Sequence, residues 1–102
     1  MTAHQYRKMT DRQKAEYRKV CATRGNFGAI GELSAFEEYL DKTVKVTSGR
    51  KVPVGTVGMV FWVCMVNYSK YGNWWSWEAR VGIRTDDGTM YFTADKNIEV
   101  IQ

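Results

Sequence analysis

Residues 43–66 carry the pattern that most restricts what this chain can fold into. Val44 and Val46 flank Lys45, so a short segment alternates with the period of a strand. A basic loop bounded by Gly49 and Gly55 follows, with Arg50 and Lys51 at its tip and Pro53 stiffening it. The next segment is apolar at both parities: Val57, Met59, Phe61, Val63 and Met65 against Val60, Trp62, Cys64 and Val66. A strand apolar on both sides must be covered on both. Helices preceding it in the chain are the expected cover. Gly58 marks a bulge or close backbone crossing where the inward parity changes.

Periodicity divides the rest of the chain into two regions, a helical extension over 1–42 and a β-rich domain over 43–102. Residues 1–8 read as frayed. Thr10 is a predicted helix N-cap, with Gln13 completing a capping box, and Gly25 is a left-handed C-cap. Met9, Tyr17, Val20 and Cys21 give that helix a thin apolar stripe, too narrow for it to stand alone. Tyr17 and Val20 are expected to cover the doubly apolar strand. The glycines between Asn26 and Gly31 predict a joint, and Leu33, Phe36, Tyr39 and Leu40 predict a second helix over 32–41. Strands are expected near 43–47, 56–66, 77–84, 89–93 and 97–101. Asp86-Asp87-Gly88 is a hairpin signal between the third and fourth. Five short strands with tight turns predict an α+β, mainly β chain: a five-stranded barrel preceded by two N-terminal helices.

Charge restricts the partner less than pattern restricts the fold. The formal net charge is +4, but it is unevenly spread. Residues 1–24 hold seven Lys/Arg against two Asp/Glu, 25–41 hold none against four, and 42–102 hold eight against five. Such a balance permits binding to nucleic acid without requiring it. No run approaches the ~18 apolar residues of a membrane span, and the first residues are too polar for a signal peptide. Cys21 and Cys64 lack metal-ligand spacing and read as small buried hydrophobes, which fits a reducing cytoplasm.

Catalysis finds no support. The single histidine, His4, cannot build a triad or a two-histidine metal site. Asp86 and Asp87 are turn residues ahead of Gly88, and no glycine-rich phosphate loop opens a helix. No catalytic residue, metal ligand or cofactor is expected.

The run from Val44 to Trp62 resembles the KOW element of small SH3-like barrels, found in ribosomal and transcription-elongation proteins. The strand, the basic glycine-bounded loop and the glycine-interrupted second strand carry that resemblance, which extends over about 43–101. It implies an SH3-like barrel that contacts RNA, ribonucleoprotein or the transcription and translation machinery. Val44 and Val46 would face its core, Lys45 would point outward, and Arg50 and Lys51 would stand at the loop tip.

A second group of candidate binding residues lies in an aromatic cluster. Tyr68, Tyr71, Trp74, Trp75 and Trp77 crowd a segment that also holds Ser69, Lys70, Gly72 and Asn73. Alternation sends neighbouring rings to opposite faces, so not all can enter a small core. Exposed Tyr71, Trp74 and Trp75 could stack on bases or anchor a protein interface. Arg80 and Arg84 share a strand face and would join Lys45 in a basic stripe. The expectation is a non-catalytic module, monomeric or weakly self-associating, that binds RNA. The alternative is a small regulatory protein that grips a protein partner through its aromatics and N-terminal helix.

Overall fold

The computed structural model describes residues 1–67 and 77–102. Three helices, α1 (Ala3–Lys8), α2 (Asp11–Thr23) and α3 (Phe27–Tyr39), precede five strands: β1 (Thr43–Val46), β2 (Val57–Asn67), β3 (Trp77–Arg84), β4 (Met90–Ala94) and β5 (Ile98–Val100). A 3₁₀ turn, Asp95–Asn97, joins β4 to β5. The strands form one antiparallel sheet in the order β4-β3-β2-β1-β5.

Two features correct the expected architecture. The sheet is not closed into a barrel, since β4 and β5 stand at its two ends and do not pair with each other. There are also three helices rather than two. Thr2 and Gln5 form the same reciprocal capping box as Thr10 and Gln13, so residues 3–8 are helical and not frayed. In α3 the glycines at 28 and 31 lie inside the helix, which starts at the Asn26 cap. Gly31 faces β2: a Cβ there would stand 3.5 Å from the Met65 methyl, an ordinary contact distance. The expected joint over 26–31 is therefore a packed first turn.

One core lies between α3 and one face of the sheet. Phe36, Ala35 and Leu40 meet Val44, Val46, Val60, Val63, Val81 and Ile83, with Val52 from the β1–β2 loop. The first helix joins that core through Met1, Ala3 and Tyr6, whose ring stacks on Phe36 at 5.4 Å. Arg7 clamps α1 to the end of α3 through two hydrogen bonds to Asp41, 3.0 and 2.6 Å. That guanidinium holds the Asp41 carboxyl below the usual carboxylate range. Burial, with Asp95 and Glu38 nearby, pushes the Tyr39 hydroxyl up to about 12.

The helix α2 packs on α3 instead of on the sheet. Cys21 is its buried residue, Arg18 pairs with Glu37, and Lys14 sits over the Tyr6 ring at 4.2 Å. Val20 is 50% exposed, so the expectation that it shields the strand is overturned. The helical layer covers one side of β2 and leaves the other to solvent.

The β3–β4 turn is built as its sequence predicts. Gly88 takes φ +85°, and Asp87 accepts from the Thr89 amide at 3.0 Å and from the Thr85 hydroxyl. These donors hold the Asp87 carboxyl down at about 2. A folded-state value below the unfolded ~3.9 means its contribution is complete above that value and lost as pH falls toward 2. Asp87→Asn should remove this component. The parent is then expected to lose slightly more stability than the variant between pH 4 and 2. Parallel curves for the two proteins would contradict it.

Candidate nucleic-acid interface

The open face of the sheet owes its character to a bulge and a glycine. The pairing of β2 with β3 slips between Val60 and Trp62. Before the slip Gly58 and Val60 face inward; after it Val63 does. The inward parity thus changes at Phe61, not at Gly58 as the sequence suggests. The extra residue places consecutive aromatics, Phe61 and Trp62, on the outer side. Gly58 is instead the close crossing: a Cβ there would lie 2.5 Å from Ile83 Cγ2 and 2.6 Å from the Arg84 carbonyl oxygen.

Gly82 supplies the floor beneath the rings. It pairs with Trp62 on one side and Phe92 on the other. Lacking a side chain, it lets Phe92 meet Trp62 edge-on at 5.6 Å and Phe61 at 5.9 Å. Such edge-to-face contacts are the favoured geometry for aromatic pairs. Arg84 lies over the Phe61 ring at 5.1 Å, a cation–π contact. Trp62 is 39% exposed and Phe92 48%, so the cluster is a surface and not a core. Val57, Met59 and Met90 extend it as exposed apolar residues.

A cavity of about 290 Å³ adjoins this cluster where the β1–β2 loop, β3, β4 and the 3₁₀ turn meet. Arg50, Lys51, Arg80 and Lys96 bring positive charge to its walls, and Phe92 is shared with the aromatic face. Asn97 positions the loop: its carbonyl accepts from the Thr47 amide at 2.8 Å and its Oδ1 from the Ser48 hydroxyl at 3.0 Å. The amide of Asn97 in turn donates to buried Thr93 at 3.0 Å. These bonds tether the start of the loop, just ahead of Arg50 and Lys51, to the 3₁₀ turn.

Of the residues the sequence singles out, Arg50, Lys51 and Arg80 come together; Arg84 shares the strand face of Arg80 but lies four residues further along β3, outside the cavity. Lys45 does not join them. It is exposed on β1 between Val57 and Glu99, and the apolar row of β2 separates it from the arginines, so no continuous basic stripe forms. Tyr71, Trp74 and Trp75 lie outside the described residues, with the rest of 68–76. Phe61, Trp62, Gly82, Phe92 and Lys96 are the additions. A strand-interior glycine signals close approach of other groups, and Gly82 between Val81 and Ile83 is that signal.

Gly82→Ala tests the floor. Its Cβ would meet Phe61 Cζ at 2.9 Å and Phe92 Cε1 at 3.0 Å, both ring atoms on an open surface that can swing away. The variant is expected to melt within a few degrees of the parent while its rings spread, seen as shifted aromatic NMR resonances. Unchanged ring resonances would show that Gly82 does not set the cluster.

Among the described residues no helix is long and apolar enough to cross a membrane. No protein-family model, curated protein or solved structure matches this chain closely enough to show a family.

Proposed function

We propose that the chain is a non-catalytic module that binds single-stranded RNA on the open face of its sheet. One observation carries the reading: three exposed or half-exposed rings, Phe61, Trp62 and Phe92, adjoin a cavity lined by four cationic side chains. Aromatic side chains stack on bases with little regard to sequence, and flanking cations track the phosphates. An SH3-like arrangement remains part of this proposal. Its support is the meander from β1 to β4, the return of β5 to β1 and the bulge in β2. On this view the sheet is an SH3-like fold left open.

Titrating labelled mixed-sequence single-stranded RNA at two salt concentrations tests the function. Each neutralised phosphate of a single strand contributes about −0.7 to the slope of log K against log salt. Arg50→Ala and Lys51→Ala should each flatten the slope by about that amount. Trp62→Ala or Phe92→Ala should instead weaken binding by about 1–3 kcal/mol at either salt, because stacking releases no counterions. No binding at low salt would reject RNA. The exposed Met59 and Met90 beside the rings would then favour the second reading, a protein partner seated on the same face.

A further inference from the structure

The charge in the cavity exceeds what one bridging phosphate requires. Arg50, Lys51, Arg80 and Lys96 face one carboxylate, Glu78. That carboxylate is engaged with Lys96 at 3.6 Å. Among the described residues Arg50, Lys51 and Arg80 make no ion pair. Residues 68–76 contain no Asp or Glu that might neutralise them. Like charges held together without a counter-charge from the protein repel one another, so entry of an anion is favoured.

A phosphodiester carries one negative charge and must both enter and leave its site. A phosphate monoester carries about −1.5 to −2 near neutral pH and offers three strong acceptor oxygens. Arginine forks and lysine ammonium groups match that oxygen set. The cavity also ends at Phe92, the ring that touches both Phe61 and Trp62. A phosphate seated among the cations therefore places the adjoining nucleoside at the edge of the aromatic face. The remaining bases have that face to run along.

We propose that the cavity receives the terminal phosphate monoester of the bound strand, so that the protein reads an RNA end and not only its length. This rests on the RNA-binding reading above and adds a place where the strand begins or stops.

The test compares one short mixed-sequence RNA in three forms: 5′-phosphate, 3′-phosphate and hydroxyl at both ends. Each is titrated into the full chain at low salt, with parent, Arg80→Ala and Lys51→Ala proteins. One phosphorylated form is expected to bind at least about tenfold more tightly than the hydroxyl form, the increment of a few charge-assisted hydrogen bonds. The form that gains identifies which end is read. In Arg80→Ala and Lys51→Ala that ratio should fall to about twofold, whatever happens to the hydroxyl form. Equal binding of all three forms by the parent overturns the end-recognition proposal while leaving RNA binding in place. A ratio unchanged in both variants overturns the assignment to this cavity. Failure of every RNA form to bind rejects the RNA reading itself. If a phosphoserine peptide then binds where RNA does not, the site serves a phosphoprotein and the proposal is overturned.

Discussion

Gly58→Val is expected to destabilise the protein by about 3 kcal/mol or more, at the upper end of overpacking effects. The cause is local and severe. A Cβ at this position would sit 2.5 Å from Ile83 Cγ2 and 2.6 Å from the Arg84 carbonyl oxygen. Ile83 is fully buried, and Arg84 O belongs to the backbone of the neighbouring strand, so neither can swing aside. Nor can β2 slide away, since Gly58 pairs with Val44 on β1 while Met59 pairs with Arg84 on β3. Because the first carbon already clashes, Gly58→Ala should carry most of the loss. A fall of 3 kcal/mol corresponds to roughly 12 °C or more in Tm for a chain of this size. Gly55→Ala is the useful contrast. It adds a Cβ in open space at φ +96°, so only backbone strain applies, about 1–2 kcal/mol. A Gly58→Ala protein that melts within a degree or two of the parent would show that β2 and β3 do not cross this closely.

Phe36→Ala should cost more still, about 3–5 kcal/mol, the range for truncating a buried phenylalanine. Phe36 is 2% exposed and occupies the centre of the layer between α3 and the sheet. Removing it also strips Tyr6 of its stacking partner, so α1 loses part of its seat. Small domains have only about 5–15 kcal/mol in total. The variant is therefore expected to unfold at low urea or to populate a loosened state under ambient conditions. Phe27, nine residues earlier on the same helix, is 71% exposed, and Phe27→Ala should fall within about 0.5 kcal/mol of the parent. Equal losses at the two positions would mean that α3 presents a different face to the sheet.

Local pattern made much of this architecture legible. The five strands fall within a residue or two of where alternation and turn chemistry place them. Asp86-Asp87-Gly88 forms the turn its composition demands. Thr10 and Gln13 cap α2 as the T-x-x-Q spacing implies. The same spacing at Thr2 and Gln5 announces α1, but a six-residue helix gains its stability from Tyr6 and Met1 in the core, which periodicity cannot show. Gly28 and Gly31 carry a poor helix propensity, which packing against β2 overrides. Barrel closure depends on whether β4 and β5 meet across the sheet, a long-range matter with no local signature.

The open face of the sheet is less legible for a related reason. Apolar residues on both sides of β2 imply cover on both sides, yet the helices cover only one. The outward position of both Phe61 and Trp62 depends on a one-residue slip against β3, and hydropathy does not specify register at a bulge. Arg50, Lys51 and Arg80 were legible as exposed cations. Their convergence with Lys96 comes from Asn97 anchoring the β1–β2 loop to the 3₁₀ turn, a contact between residues fifty positions apart in sequence.

Binding of RNA on the open face can be read from the amide and indole NMR shifts of this chain on adding unlabelled single-stranded RNA. The largest changes are expected on Phe61, the Trp62 indole, Gly82 and Phe92, with Arg50, Lys51 and Arg80 next to them. The exposed side of α2 around Val20 should stay still. Shifts confined to α1 and α2, or none on the sheet at low salt, would contradict it.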